Sequence, residues 1–204
     1  LPDLAQEFGL SASHSSLAIS FSTLGMVIGL FTAMFVADTI PRKKLISAAL
    51  LSSAVFSVIC SYSPSFFLLV ALSALKGFLL SGGKTVSLAY ISEEVQPQNK
   101  GKITGLYIAG NALGGMGGRV ISSYLSSEFS WRVASVAIGV LCALFAISFL
   151  IFSPRSINFK PKRESFKSLI VSNLHLIVSV KLIPFYLIGS LMLGIFVSLY
   201  NYLG

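Results

Sequence analysis

One acid and three bases, Asp38, Arg42, Lys43 and Lys44, fall within seven residues of the segment FVADTIPRKKLI (Phe35–Ile46), between long apolar runs that carry no charge. The chemistry open to such a set is reversible ion pairing. Bases at a tight turn suffice to orient a membrane segment, which accounts for Arg42, Lys43 and Lys44. They leave Asp38 unexplained, because an acid at a helix C-terminus opposes the helix dipole and contributes little to orientation. Asp38 is therefore expected to hold a partner, either the nearby bases or the N-terminus of another helix. A charge cluster that pairs in one conformation and parts in another is a gate.

Further bases stand inside apolar sequence. Lys76 and Lys84 lie in the run from Phe66 to Ile91, and Arg119 in the run from Ile103 to Leu125. An ionisable group in hydrocarbon is costly and by default marks a pathway. Lys76 is a candidate for holding an anionic solute, and Arg119 for lining an outer cavity; snorkelling to the headgroups is the alternative for each, as is pairing with a helix outside this sequence for Lys76. The stretch GKITGLYIAGNALGGMGGR carries glycines at 101, 105, 110, 114, 115, 117 and 118. The pairs 101/105, 110/114 and 114/118 have the small-xxx-small spacing that lets helix backbones approach closely in lipid.

Bond-making chemistry has no such support. No Ser/His/Asp set, paired carboxylates or metal-ligand spacing occurs. GFLLSGGKT (Gly77–Thr85) imitates a phosphate-binding loop, but five residues rather than four separate Gly77 from Gly83, and no strand precedes it. Val120 takes the last glycine's place in a would-be G-x-G-x-x-G after Gly115 and Gly117. Cys60 and Cys142 sit in apolar runs and suggest neither a disulfide nor a metal site. No enzyme, cofactor or metal is expected.

The elements that must position these residues are set by composition. The chain is 54% hydrophobic and 11% charged, whereas a soluble domain carries roughly 25% charged residues. Lipid is the expected solvent. About 20 apolar residues form a helix that crosses roughly 30 Å of hydrocarbon, and six segments qualify: Ser16–Ala37, Leu45–Tyr62, Phe66–Ile91, Ile103–Leu125, Trp131–Phe152 and Pro184–Gly204. Continuous rather than alternating apolar runs favour helices over barrel strands.

Ten of the 15 bases fall in the connections Asp38–Lys44, Ser92–Lys102 and Ser153–Ser168, and none in Leu1–Ser15, Ser63–Ser65 or Ser126–Ser130. Lys and Arg gather on the cytoplasmic side, so Leu1 is expected outside and Asp38 inside. The net charge of +8 is an orientation signal, and no nucleic-acid partner is expected. Residues from Ser153 read as a cytoplasmic linker, and Ser168–Ile183 as an interfacial helix containing His175. No Asp or Glu lies inside a span: Asp3, Glu7, Asp38, Glu93, Glu94, Glu128 and Glu164 are in connections or at span ends.

A-D-x-x-x-R-K-K after the Ser16–Ala37 span resembles the loop motif G-x-L-A-D-x-x-G-R-K of the major facilitator superfamily. Asp38, Arg42 and Lys43 match it, while Met34 and Pro41 replace its glycines. Gly110-Asn111-Ala112-Leu113-Gly114-Gly115 resembles the antiporter motif G-P-x-x-G-G of the family's fifth helix, with Asn111 in place of proline. Ser73 stands where the fourth family helix often has the arginine of R-x-x-x-G, ahead of Gly77. Trp131-Arg132 resembles the W-R that begins the sixth.

The resemblance implies an all-α membrane protein with a partial form of that fold, helices 2–7 of 12. Residues 1–154 would be an N-terminal half lacking its first helix, 155–183 a cytoplasmic linker, and 184–204 the first helix of the C-terminal half. It also implies a fragment of a multi-pass bacterial inner-membrane carrier, of the drug/proton antiporter branch and monomeric when complete. Such a carrier exports a small organic solute against protons by alternating access. An uptake carrier, or a truncated membrane protein without transport activity, is the alternative. Asp38 and Arg42 would lock the cytoplasmic side. Ser73, Lys76, Asn111 and Arg119 are candidates for the transport path, Lys76 in the missing arginine's role and Asn111 as a polar contact. Gly110, Gly114, Gly115 and Gly118 are the helix-packing motif.

Overall fold

The computed structural model of the chain describes residues 2–159, 161, 179 and 182–202. Two short helices come first, α1 (Pro2–Glu7) and α2 (Ala12–Ser15). Gly9, at φ 61°, closes α1 in the left-handed conformation, and the Leu10 amide donates to the Ala5 carbonyl at 2.8 Å. Among the described residues six long helices follow: α3 (Leu17–Val36), α4 (Arg42–Ser61), α5 (Phe66–Glu94), α6 (Pro97–Glu128), α7 (Trp131–Phe152) and α8 (Ile183–Tyr202). There is no strand among the described residues. By length and composition α4, α5 and α7 can each cross a membrane.

The expected spans all recur as helices, but several run further at the basic end. Apolar length sets where a helix enters hydrocarbon, whereas caps set where it stops. α4 therefore starts directly after Pro41, which lacks an amide hydrogen. α6 starts at Pro97, six residues before Ile103. Ser65 and Ser130 cap α5 and α7 by accepting from the Leu68 and Val133 amides. The 29 residues of α5 span about 44 Å, well beyond a hydrocarbon core of about 30 Å, so Glu93 and Glu94 project past the bundle's apolar layer.

The chain forms two compact units, Leu1–Lys162 and Arg163–Gly204; α8 belongs to the second. Within the first, α5 packs between α3 and α4, α4 also packs on α7, and α7 on α6. The interior is small and the exterior large, the reverse of a soluble core. Ser47, Ser53, Ser57, Ser61, Ser81, Ala49 and Ala54 are buried, while Phe31, Leu144 and Phe145 are more than half exposed. Without a hydrophobic drive between helices in lipid, close backbone packing takes over. A Cβ on Gly25 would overlap the Ala74 carbonyl, one on Gly29 the Phe78 carbonyl, and one on Gly77 the Ser22 carbonyl. Gly139 is less tightly held: a Cβ there would crowd Val58 Cγ2 at 3.0 Å and the Ala54 carbonyl at 3.1 Å without overlapping either. Ser57 Oγ donates to the Ser135 carbonyl at 3.2 Å, tying α4 to α7.

Candidate functional site

The basic end of the first unit is organised around Arg42. Pro41 forces the chain to turn after α3, and α4 begins with Arg42 pointing back under that turn. Its side chain is only 8% exposed. Nη2 donates to Asp38 Oδ1 at 2.9 Å and to Glu93 Oε1 at 2.9 Å. Nε lies 3.2 Å from each Glu93 oxygen, so the carboxylate is held in a fork. Nη1 donates to the Ala37 carbonyl, one of the unpaired carbonyls at the end of α3. A buried guanidinium thus joins the ends of α3 and α5 through two carboxylates. Such a pair is costly to break singly, because the remaining charge stays in low dielectric.

The expected partner of Asp38 is present, and it is Arg42 four residues on. Lys43 turns elsewhere: its amide donates to Ser156 Oγ at 3.1 Å, and Nζ donates to the Ser153 carbonyl. Lys44 is exposed. Glu93 is the member that reading the sequence missed. The argument that singled out Asp38, an acid at a basic end without a topological purpose, applied equally to Glu93. What no spacing rule supplies is the 51-residue separation between Arg42 and Glu93.

The opposite end holds a second ion pair. Arg132 donates to Glu7 through Nη2 at 2.6 Å and through Nε at 3.2 Å. It also donates to the Ser61 carbonyl at the end of α4 and, at 3.2 Å, to the Ser63 carbonyl. Trp131 Nε1 donates to the other Glu7 oxygen, and Phe8 packs against Trp131 and Phe66. Hydrogen bonds from Arg132 and then Trp131 hold the Glu7 carboxyl below the usual carboxylate range. The Trp131-Arg132 pair is a clasp for α1.

Ser73 and Lys76 lie partly buried midway along α5. Among the described residues Lys76 forms no salt bridge. Asn111 and Arg119 are both exposed on α6. A Cβ at Gly110, Gly114 or Gly118 would meet no described heavy atom within 4 Å, and Gly115 is exposed. The described helices do not bring Ser73, Lys76, Asn111 and Arg119 into contact with the Arg42 cluster. The spacing that does make a tight helix seam in this unit is Gly25-x-x-x-Gly29 on α3, facing α5. Among the described residues no group of His, Cys, Asp and Glu could hold a metal ion.

A family model described as Major Facilitator Superfamily matches residues 1–204, the whole chain. An "Uncharacterized transporter" of Buchnera aphidicola subsp. Schizaphis graminum is 37% identical over 203 residues, covering all of this chain and 49% of that protein. The "Inner membrane transport protein YnfM" of Escherichia coli (strain K12) is 37% identical over 205 residues, again all of this chain and 49% of that protein. The "4-hydroxybenzoate transporter PcaK" of Pseudomonas putida is 28% identical over 158 residues, 78% of this chain and 35% of that protein. The chain spans about half the length of the first two relatives.

Proposed function

The chain belongs to the major facilitator superfamily, and from that premise we propose that the full-length protein is a proton-coupled exporter of a small organic solute, working by alternating access in a bacterial inner membrane. The observation that carries the reading is the Arg42 cluster. Asp38 and Arg42, the matched members of the family's loop motif, are paired to each other, and Arg42 is also paired to Glu93, at the basic end that the charge pattern assigns to the cytoplasm. The cluster is the closed state of a cytoplasmic gate, and it parts when that side opens. Lys43 belongs to the same motif.

Ser73, Lys76, Asn111 and Arg119 are the residues we assign to the transport path. Gly110, Gly114, Gly115 and Gly118 form an open face of α6 that we assign to close contact with a helix of the full-length protein outside the described residues. The likeness of Gly110–Gly115 to the antiporter motif favours export over uptake.

One observation favours a second reading, transport of an organic anion. In the sequence every charge well inside an apolar run is a base, Lys76, Lys84 or Arg119, and no Asp or Glu lies within those runs. A cation in hydrocarbon seeks an anion. The relative named for 4-hydroxybenzoate, which carries a carboxylate, agrees with that chemistry.

Accumulation of a panel of labelled organic solutes in energised cells expressing the full-length protein tests direction and coupling together. Export lowers accumulation of the substrate relative to cells without the protein, and a protonophore abolishes the difference. Raised accumulation would mean uptake, and a difference that survives the protonophore would exclude proton coupling.

A further inference from the structure

The segment that leaves α7, Ser153–Phe159, does not run free from the bundle; it is fastened across the ends of α4 and α5. Tyr90 of α5 donates its hydroxyl to the Pro154 carbonyl at 2.7 Å and shares a hydrogen bond with Ser153 Oγ at 3.0 Å. Lys43 of α4 holds the Ser153 carbonyl and, through its amide, Ser156 Oγ. Glu94 accepts from the Asn158 amide at 3.0 Å and from its side-chain nitrogen at 3.2 Å. Phe159 then places its ring 4.9 Å from the Arg42 guanidinium carbon. With Nε, Nη1 and Nη2 all donating, a ring against the guanidinium is a contact that hydrogen bonds cannot supply.

We propose that Ser153–Phe159 is a strap that forms part of the cytoplasmic gate: while docked it keeps Arg42 paired with Asp38 and Glu93, and pulling it away loosens the pairing. The strap is covalently continuous with the chain that leads to Arg163–Gly204, the second unit. Phe159 is a positioning residue in this scheme. Docking through bonds from α4 and α5 to consecutive parts of one short segment is what a transmitting tie requires, whereas a passive linker needs none. The proposal rests on the gate reading above, and its test separates the two.

The test uses the full-length protein in inside-out membrane vesicles, with every native cysteine replaced, Cys60 and Cys142 included, and one thiol introduced by Ser73→Cys. A membrane-impermeant methanethiosulfonate reagent is added on the cytoplasmic side, and variants are compared at equal membrane insertion. Phe159→Ala is expected to raise the labelling rate about two- to fivefold, the span of a solvent-exposed cation–π contact. Phe159→Trp, which keeps an aromatic face, restores the parental rate, and Asp38→Asn raises it. Faster labelling in Asp38→Asn with no change in Phe159→Ala overturns the strap and leaves the gate standing. Equal acceleration by Phe159→Ala and Phe159→Trp also overturns the strap. Unchanged labelling in Asp38→Asn overturns both.

Discussion

Arg42 directs all three of its guanidinium nitrogens at acceptors on α3, the following turn and α5, and that geometry decides what can replace it. A lysine has one compact ammonium and no planar fork, so Arg42→Lys keeps the charge and loses the bridge. It is expected to destabilise the full-length protein by about 1–3 kcal/mol, read as a lower unfolding temperature in detergent; an unchanged temperature would show that charge alone suffices. Glu7 makes a pH prediction of definite sign. Its folded pKa is below the usual 4.5, so its pairing with Arg132 stabilises the fold above that range and is lost as pH falls through the lowered value. Glu7→Gln should lower the unfolding temperature at neutral pH and make no difference once the parent is acidified below its own carboxyl pKa. A gap that persists in acid would rule the pairing out as the cause. At this scale the sequence narrowed the partner of Asp38 to the nearby bases or another helix's N-terminus, and it is Arg42, four residues on. Glu93 and Phe159 come to Arg42 through tertiary packing, which no local pattern encodes.

The helices were legible because lipid imposes a length, and their apolar runs stand out against basic connections. Their ends were less so, since α4, α5 and α6 extend to caps and prolines beyond the apolar stretch. Glycine spacing was a partial guide. It marked α6, where a Cβ at Gly110, Gly114 or Gly118 would meet no described heavy atom within 4 Å, and passed over Gly25 and Gly29, which with Gly77 form the seam between α3 and α5. The pattern is the same in both places; only the partner differs, and the partner is not written in the helix's own sequence. Two substitutions separate the cases in the full-length protein. Gly25→Ala drives a methyl into the Ala74 carbonyl and should cost about 1–3 kcal/mol or more, with reduced folded yield after detergent extraction. Gly114→Leu should fold this bundle normally, yet abolish transport if the α6 face receives a close-packed helix. Full transport by Gly114→Leu would mean that the face needs no such partner.

On the scale of the molecule, ten of the 15 bases fall in three connections and long apolar runs lie between them, and both features follow from a membrane as solvent. Family membership agrees with the composition, the six long helices and the loop motif around Asp38. Substrate choice was not legible because it resides in a few cavity side chains, and the chain spans about half the length of its relatives. The central claim is that the Arg42 cluster closes the cytoplasmic side of a transporter. Its most direct test is the initial transport rate of the full-length protein carrying Asp38→Ala, at matched membrane levels, for whichever solute the accumulation panel identifies. The account predicts a loss of at least about tenfold, corresponding to about 1.4 kcal/mol of barrier. A rate equal to the parent's would contradict it.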